Sequence, residues 1–330
     1  MADIVCPKCG SVIPDNQPCG LCNAIATPEV AAKVAVPTTD GEGKVSIGRP
    51  PAWPPLTWAF YAFVALFAMT CLGLIIPPLL FVREASMRTQ SICHLKQIGL
   101  AAHGFYDVHK RFPFNGTNQA RPGDATSGSW CFQILPFMEK NDVFQAGSTN
   151  EGIKQFLCPG RGRPLTSNTP AVGADTPPWS DYVLNPWLNS DTGDVAAIDS
   201  RRTFADITDG TSNTILCGEG QIRPRDYSNA ESIPGYLDTF LIGGTTATAL
   251  SSNLALGPVT FARDSDDTRT DAARGFGGPY SGGCNVAFCD GTVRWLSYSL
   301  KVGSFAKGQS DLSLASLLTP AAGDEPFWEP

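Results

Sequence analysis

Between Arg49 and Arg83 the chain carries no charged side chain, and residues 56–82 read LTWAFYAFVALFAMTCLGLIIPPLLFV. A run this apolar has two places to hide its side chains from water, a large protein core or lipid. As helix these residues reach about 40 Å, beyond the roughly 30 Å of a bilayer's hydrocarbon. A chain of 330 residues is too modest to bury such a rod in one core. Trp53 and Trp58 stand where an interfacial aromatic belt lies. The expectation is one transmembrane helix over 56–82, kinked or missing a backbone hydrogen bond at Pro77–Pro78. A cleaved secretory leader would put its apolar stretch much nearer the N-terminus.

Four cysteines, Cys6, Cys9, Cys19 and Cys22, crowd the run CPKCGSVIPDNQPCGLC. Each C-x2-C turn aims two thiolates at one point, and two such turns close a tetrahedral sulfur site that suits Zn²⁺. Gly10 and Gly20 supply the tight turns such knuckles need. Few apolar residues lie here, so metal binding would have to drive folding. Two disulfides in an exported tail would use the same residues, but the paired spacing is that of a structural zinc ribbon over 1–26. A closed four-thiolate site leaves no open position for catalysis.

Residues 27–55 form a linker rich in Ala, Val, Pro, Thr and Gly. The basic residues beside the apolar run, Lys44 and Arg49 before it and Arg83, Arg88 and Lys96 after it, vote weakly for a cytoplasmic C-terminal domain. Zinc thiolates persist best in a reducing cytosol, which argues for the N-terminus inside. That second orientation is the one expected here.

Past the run, Ile92, Leu95, Ile98, Ala102 and Phe105 recur at steps of three and four, so an amphipathic helix continues the span and stops before Pro113. Short β-rich pieces follow, separated by turns, up to GGCNVAFCDGTVRWLSYSL, where Asp290-Gly291 signals a two-residue hairpin turn with positive φ. The sum is an α+β chain: one long helix followed by short β-rich pieces, with residues 83–330 as the large domain.

The ordered phrases Arg83-Glu84-Ala85, Leu95 to Leu100 with His103 and Asp107, Arg111-Phe112-Pro113, Ser129-Trp130, Leu135-Pro136, Phe156-Leu157-Cys158-Pro159 and Asp206 to Ile215 resemble the DUF1559 family, a bacterial group with pilin-like or pseudopilin-like N-termini. The resemblance covers about residues 74 to 300. It implies a pilin-like fold in the bacterial inner membrane, its single long helix half in the bilayer and half packed on an antiparallel sheet, with the large domain outside the cytoplasm. The chain departs from the pattern in three places. No prepilin cleavage and methylation site precedes Leu56, and the residues ahead of it would obstruct packing in a filament core. Tyr280 stands where the family's H-x9-DG motif has its histidine. Ser91 stands where relatives usually carry a cysteine.

Cys71 lies in the apolar run, while Cys93, Cys131, Cys158, Cys217, Cys284 and Cys289 lie in the large domain. Six would allow three disulfides in an exported domain, with Cys93–Cys158 suggested by the FLCP match; buried free thiols are the other reading. An odd spacing sends Cys284 and Cys289 to opposite faces of a strand. His94, His103 and His109 do not share one helical face, so they make no metal pair. No G-x-S-x-G, P-loop or dinucleotide fingerprint is present, and a non-enzymatic protein is expected. Asp206, Asp209 and Asn213, with Asp264, Asp266 and Asp267, offer oxygen ligands for Ca²⁺ but lack full loop spacing. Asp209-Gly210 also reads as a turn, and Asp206 as a cap.

With 24 Lys+Arg against 31 Asp+Glu, a net charge of −7 argues against nucleic acid as a partner. The expected role is that of a structural or interaction protein contacting other membrane or cell-surface proteins, including copies of itself. The alternative is a tethered domain binding glycan or peptide in a pocket lined by Trp130, Trp179, Trp187 and Tyr182.

Overall fold

The computed structural model describes residues 3–5, 12–14, 55–116, 119–149, 152–165, 178–191, 193–194, 202–227, 239–245, 248–250, 261–265, 275–303 and 313–323. The chain divides into two compact units, Met1–Leu74 and Ile75–Pro330. In the first, strands β1 (Asp3–Val5) and β2 (Val12–Pro14) pair antiparallel, Ile4 opposite Ile13. Cys6 and Cys9 fall on the connection between these strands, and all four cysteines of the expected zinc ribbon lie outside the described residues.

Helix α1 runs from Pro55 to His109 without a break, through Pro77 and Pro78. In its first part Trp58, Phe60, Tyr61, Phe63, Leu66, Phe67 and Met69 are all exposed, Met69 to 70 %. The Thr70 hydroxyl turns back to the carbonyls of Leu66 and Phe67, 2.8 Å from each, so it needs no water. Among the described residues no helical stretch is long and apolar enough to cross a membrane. Much of the transmembrane stretch expected over 56–82, Pro77 and Pro78 included, has its side chains outside the described residues.

In the second unit α1 presents the face the periodicity predicts. Leu95, Ile98, Ala102 and Phe105 are buried, joined by Ser91 and Ala101, while Ile92 is half-buried. The helix ends where Lys110 adopts φ +55° and donates its N–H to the Tyr106 carbonyl at 2.7 Å, just before Phe112-Pro113 leaves the helical register. Two short helices follow, α2 (Trp130–Gln133) and α3 (Asn141–Ala146).

Strands β3 (Tyr182–Leu184), β4 (Ile215–Glu219), β5 (Gly283–Phe288) and β6 (Val293–Ser297) make one antiparallel sheet in the order β3-β4-β5-β6. Both of its faces are covered. Tyr182, Leu184, Leu216, Cys217, Ala287 and Cys289 share a core with the α1 face and with Trp130, Phe132, Phe156 and Phe240. Val183, Ile215, Cys284, Val286 and Phe288 face a second core with Phe261, Phe276 and the C-terminal helix α4 (Leu314–Leu318). Double coverage explains why β3, β4 and β5 are buried along their whole length and show no polar alternation. As the odd spacing requires, Cys284 and Cys289 belong to opposite cores.

The β5–β6 connection differs from the two-residue turn expected. Gly291 N–H closes on the Phe288 carbonyl at 3.0 Å and Gly291 itself takes φ +82°, giving a longer turn with one left-handed glycine. The turn is pinned rather than free: Cys289 N–H reaches the Thr214 carbonyl and Asp290 N–H that of Thr211, at 2.9 and 3.1 Å. It meets α1 backbone to backbone, since a methyl placed on Gly99 would lie 3.7 Å from Gly291 Cα. Nearby, the Arg88 guanidinium of α1 sits 3.6 Å from the ring centre of Trp295 on β6.

Candidate functional site

At the end of β4 the carboxyl of Glu219 is fully buried. Its Oε1 receives the Ser91 hydroxyl of α1, the Cys158 thiol at 3.6 Å and the Asn285 side-chain amide at 3.2 Å. Its Oε2 receives the Asn285 N–H at 3.1 Å. Ser91 also shares a hydrogen bond with the Tyr182 hydroxyl at 3.1 Å, and the Cys158 thiol reaches the Tyr280 hydroxyl at 3.7 Å. Gly278 is small because Oε2 stands in the way: a Cβ there would meet it at 2.6 Å.

Beside this carboxyl runs a buried ion network. Arg161 holds Asp264 through Nε at 2.8 Å and Nη2 at 3.1 Å, and Nη2 also donates to the Gly220 carbonyl at 2.6 Å. Its Nη1 lies 3.6 Å from Asp181 Oδ1, the oxygen that Arg163 also grips. The Arg163 guanidinium is 3.9 Å from the Trp179 ring centre. Asp181 Oδ2 takes the Cys158 N–H at 2.7 Å, and Asp264 takes the Ile222 N–H at 2.9 Å and the Tyr227 hydroxyl at 2.5 Å. Two guanidinium ions thus balance two aspartates.

The environment sorts the acids. Burial opposes ionisation of Asp181, but Arg163 and Arg161 outweigh it and hold the carboxyl below its usual range. Burial dominates at Glu219 and pushes it above its usual range, against the bonds from Ser91 and Asn285 and the field of Arg161. Burial, then the Glu219 charge, also drives the Cys158 thiol well upward, so Cys158 is a protonated donor rather than a nucleophile. The set ties α1, the 156–163 loop, β3, β4 and β5 to one point.

The histidines stay apart. His94 Nδ1 lies 3.0 Å from the Leu157 carbonyl, and burial first, then Lys154, lowers its pKa against that bond. His103 is held by stacking on Phe204, ring centres 5.2 Å apart, while its buried Nε2 has no hydrogen-bond partner. His109 packs on Phe105.

The calcium candidates have other employment. Asp206 caps the turn at Thr203, accepting its N–H at 2.6 Å. Asp209 accepts the N–H groups of Ala322 at 2.7 Å and Gly323 at 3.0 Å. Asp264 belongs to Arg161, and Asp266 and Asp267 lie outside the described residues. Among the described residues no group of three His, Cys, Asp or Glu is placed to hold a metal ion. None of Cys71, Cys93, Cys131, Cys158, Cys217, Cys284 and Cys289 is in a disulfide. Cys93 is exposed where Cys158 is buried, and the suggested Cys93–Cys158 bridge is absent; Cys131, Cys217, Cys284 and Cys289 pack in the two cores as small hydrophobes.

Of the four aromatics proposed to line a pocket, Trp130, Trp179 and Tyr182 are core residues at 1 %, 1 % and 0 % exposure. Trp187 alone among the four reaches a cleft, one of about 360 Å³ that it lines with Asp191, Arg202, Thr319, Pro320, Ala321 and Ala322. Sequence reading missed Arg161, Asp181, Glu219 and Arg202. A signal was present for some of them: charged residues inside apolar, turn-rich phrases such as FLCPGRGRP, SDYVL and ILCGEG.

Fold and buried centre together define an α+β domain in which one long helix is locked by hydrogen bonds to a doubly covered antiparallel sheet. The chain belongs to the family described as SBP_bac_10, "Protein of unknown function (DUF1559)", whose model matches residues 82–303. No curated protein and no solved structure gives a significant match.

Proposed function

We propose that the protein is a membrane-anchored structural and interaction component, with pseudopilin-like architecture, that presents its sheet domain to other membrane or cell-surface proteins and to copies of itself. The carrying observation is the uncharged stretch from Pro50 to Val82, whose described side chains on α1 leave Trp58, Phe63, Leu66, Phe67 and Met69 exposed by 62 to 70 %. A bare apolar helix is unstable in water and stable in lipid. In this reading the anchor sits in a bacterial inner membrane. A zinc ribbon on Cys6, Cys9, Cys19 and Cys22 docks in the cytoplasm, and the family domain lies outside. The β1–β2 pairing supports the ribbon, because it brackets Cys6 and Cys9 as a zinc knuckle does.

The test is alkaline extraction of membranes from cells making the full chain, with reporters fused to each end and zinc measured on the purified protein. Retention in the pellet, a C-terminus outside and one zinc per chain are expected. Release into the supernatant overturns the anchor, and a cytoplasmic C-terminus overturns the orientation.

A second reading, a tethered ligand-binding domain, is favoured by one observation: the cleft at Trp187 combines an indole, a guanidinium and a carboxylate in a concave wall.

A further inference from the structure

We propose that this cleft takes a free α-amino acid, Arg202 receiving its carboxylate, Asp191 its ammonium, and Trp187 with the Pro320–Ala322 wall its side chain. The proposal rests on the ligand-binding reading and names the ligand class.

The walls are built in advance. Asn185, fully buried, donates to the carbonyls of Ile215 and Leu318, both at 2.8 Å, and accepts the Trp187 N–H at 3.1 Å. One side chain therefore fixes the indole wall and the end of α4 together. Asp209 fixes the opposite wall through Ala322 and Gly323, and its own N–H meets the Pro320 carbonyl at 3.2 Å. The Arg202 carbonyl is held by the Phe112 N–H at 3.2 Å.

The ion pair at the cleft is lopsided. Arg202 is 10 % exposed and Asp191 is 91 % exposed, their charged atoms 2.5 Å apart. A guanidinium sunk in the wall is therefore neutralised by a carboxylate standing in water. The Asp191 carboxylate is open to water on its other sides, so it swings aside as a second carboxylate arrives at Arg202. A ligand carboxylate then meets the Arg202 fork in bidentate geometry.

Charge selects among carboxylates. A plain anion would leave Asp191 beside it with like charge, and an amine would meet Arg202. A zwitterion replaces one ion pair with two and leaves the net charge of the cleft unchanged. The volume, about 360 Å³, lies at the small end of ligand sites, which suits one residue rather than a peptide.

The experiment is calorimetric titration of the full chain in detergent with leucine, phenylalanine, N-acetyl-leucine, leucinamide and glucose, each to roughly 10 mM. Free amino acids are expected to bind, and blocking either end is expected to weaken binding about tenfold or more. Asp191→Asn should weaken leucine about tenfold in a variant that still melts cooperatively. Arg202→Met should abolish binding, with the exposed Asp191→Asn variant carrying the test should the first unfold. N-acetyl-leucine binding as tightly as leucine overturns the assignment, as does an unaffected Asp191→Asn. Glucose binding without any amino acid overturns it while leaving a ligand cleft. Silence across the panel removes both readings.

Discussion

The Ser91 hydroxyl and the Cys158 thiol donate to the same atom, Oε1 of Glu219, from α1 and from the FLCP loop. Ser91 is also the position at which DUF1559 relatives usually carry a cysteine. Ser91→Cys should therefore place two thiols across one oxygen and let them oxidise to a disulfide. Closing so long a loop is worth about 4 kcal/mol of chain entropy, reduced by the ~1–3 kcal/mol lost at the carboxyl. Thiol titration of the oxidised, denatured variant should find two fewer reactive groups than its reduced form. An unchanged thiol count sinks the idea.

Glu219 makes stability fall with rising pH. Its folded pKa is raised by burial above the ordinary 4.5, so the folded state binds the proton more tightly than the unfolded chain. The stabilisation is complete below the unfolded value and is lost as pH climbs through the folded one. The stability of the native protein relative to Glu219→Gln should decline from about pH 4.5 upward, by at most ~1.4 kcal/mol per pH unit. Paired melting curves from pH 4 to 8 check this, and a difference that stays flat contradicts it.

Arg161→Met leaves Asp264 and, in part, Asp181 as buried carboxylates without their cation. The expected loss is about 3–5 kcal/mol. Urea unfolding should show a lower midpoint at an unchanged slope. A loss below about 1 kcal/mol would contradict the charge balance between the two guanidinium ions and the two aspartates.

Asp209→Ala removes the acceptor that Ala322 and Gly323 share. A cost of about 0.5–1.5 kcal/mol follows, because Ala322 is half-buried and Gly323 exposed, so water replaces part of what the carboxylate gave. Amide exchange should accelerate at Ala322 and Gly323 before it does in β4 or β5. Equal exchange in native and variant protein would refute the clamp.

Local pattern by itself determined the helical continuation through Leu95, Ile98, Ala102 and Phe105, its stop before Pro113, the β5–β6 hairpin and the opposite facing of Cys284 and Cys289. Each depends on neighbours a few positions apart, and side-chain period carries that information. Tertiary structure alone decided that the sheet is covered on both faces, which turns Trp130, Trp179 and Tyr182 from candidate binding aromatics into core. It decided too that Asp209 accepts the N–H groups of Ala322 and Gly323, more than a hundred residues further along the chain. Above all it assembled Glu219, whose donors lie 61 to 128 residues away in sequence. A buried carboxyl selects its partners by desolvation, and desolvation is a property of packed neighbours that no local spacing encodes.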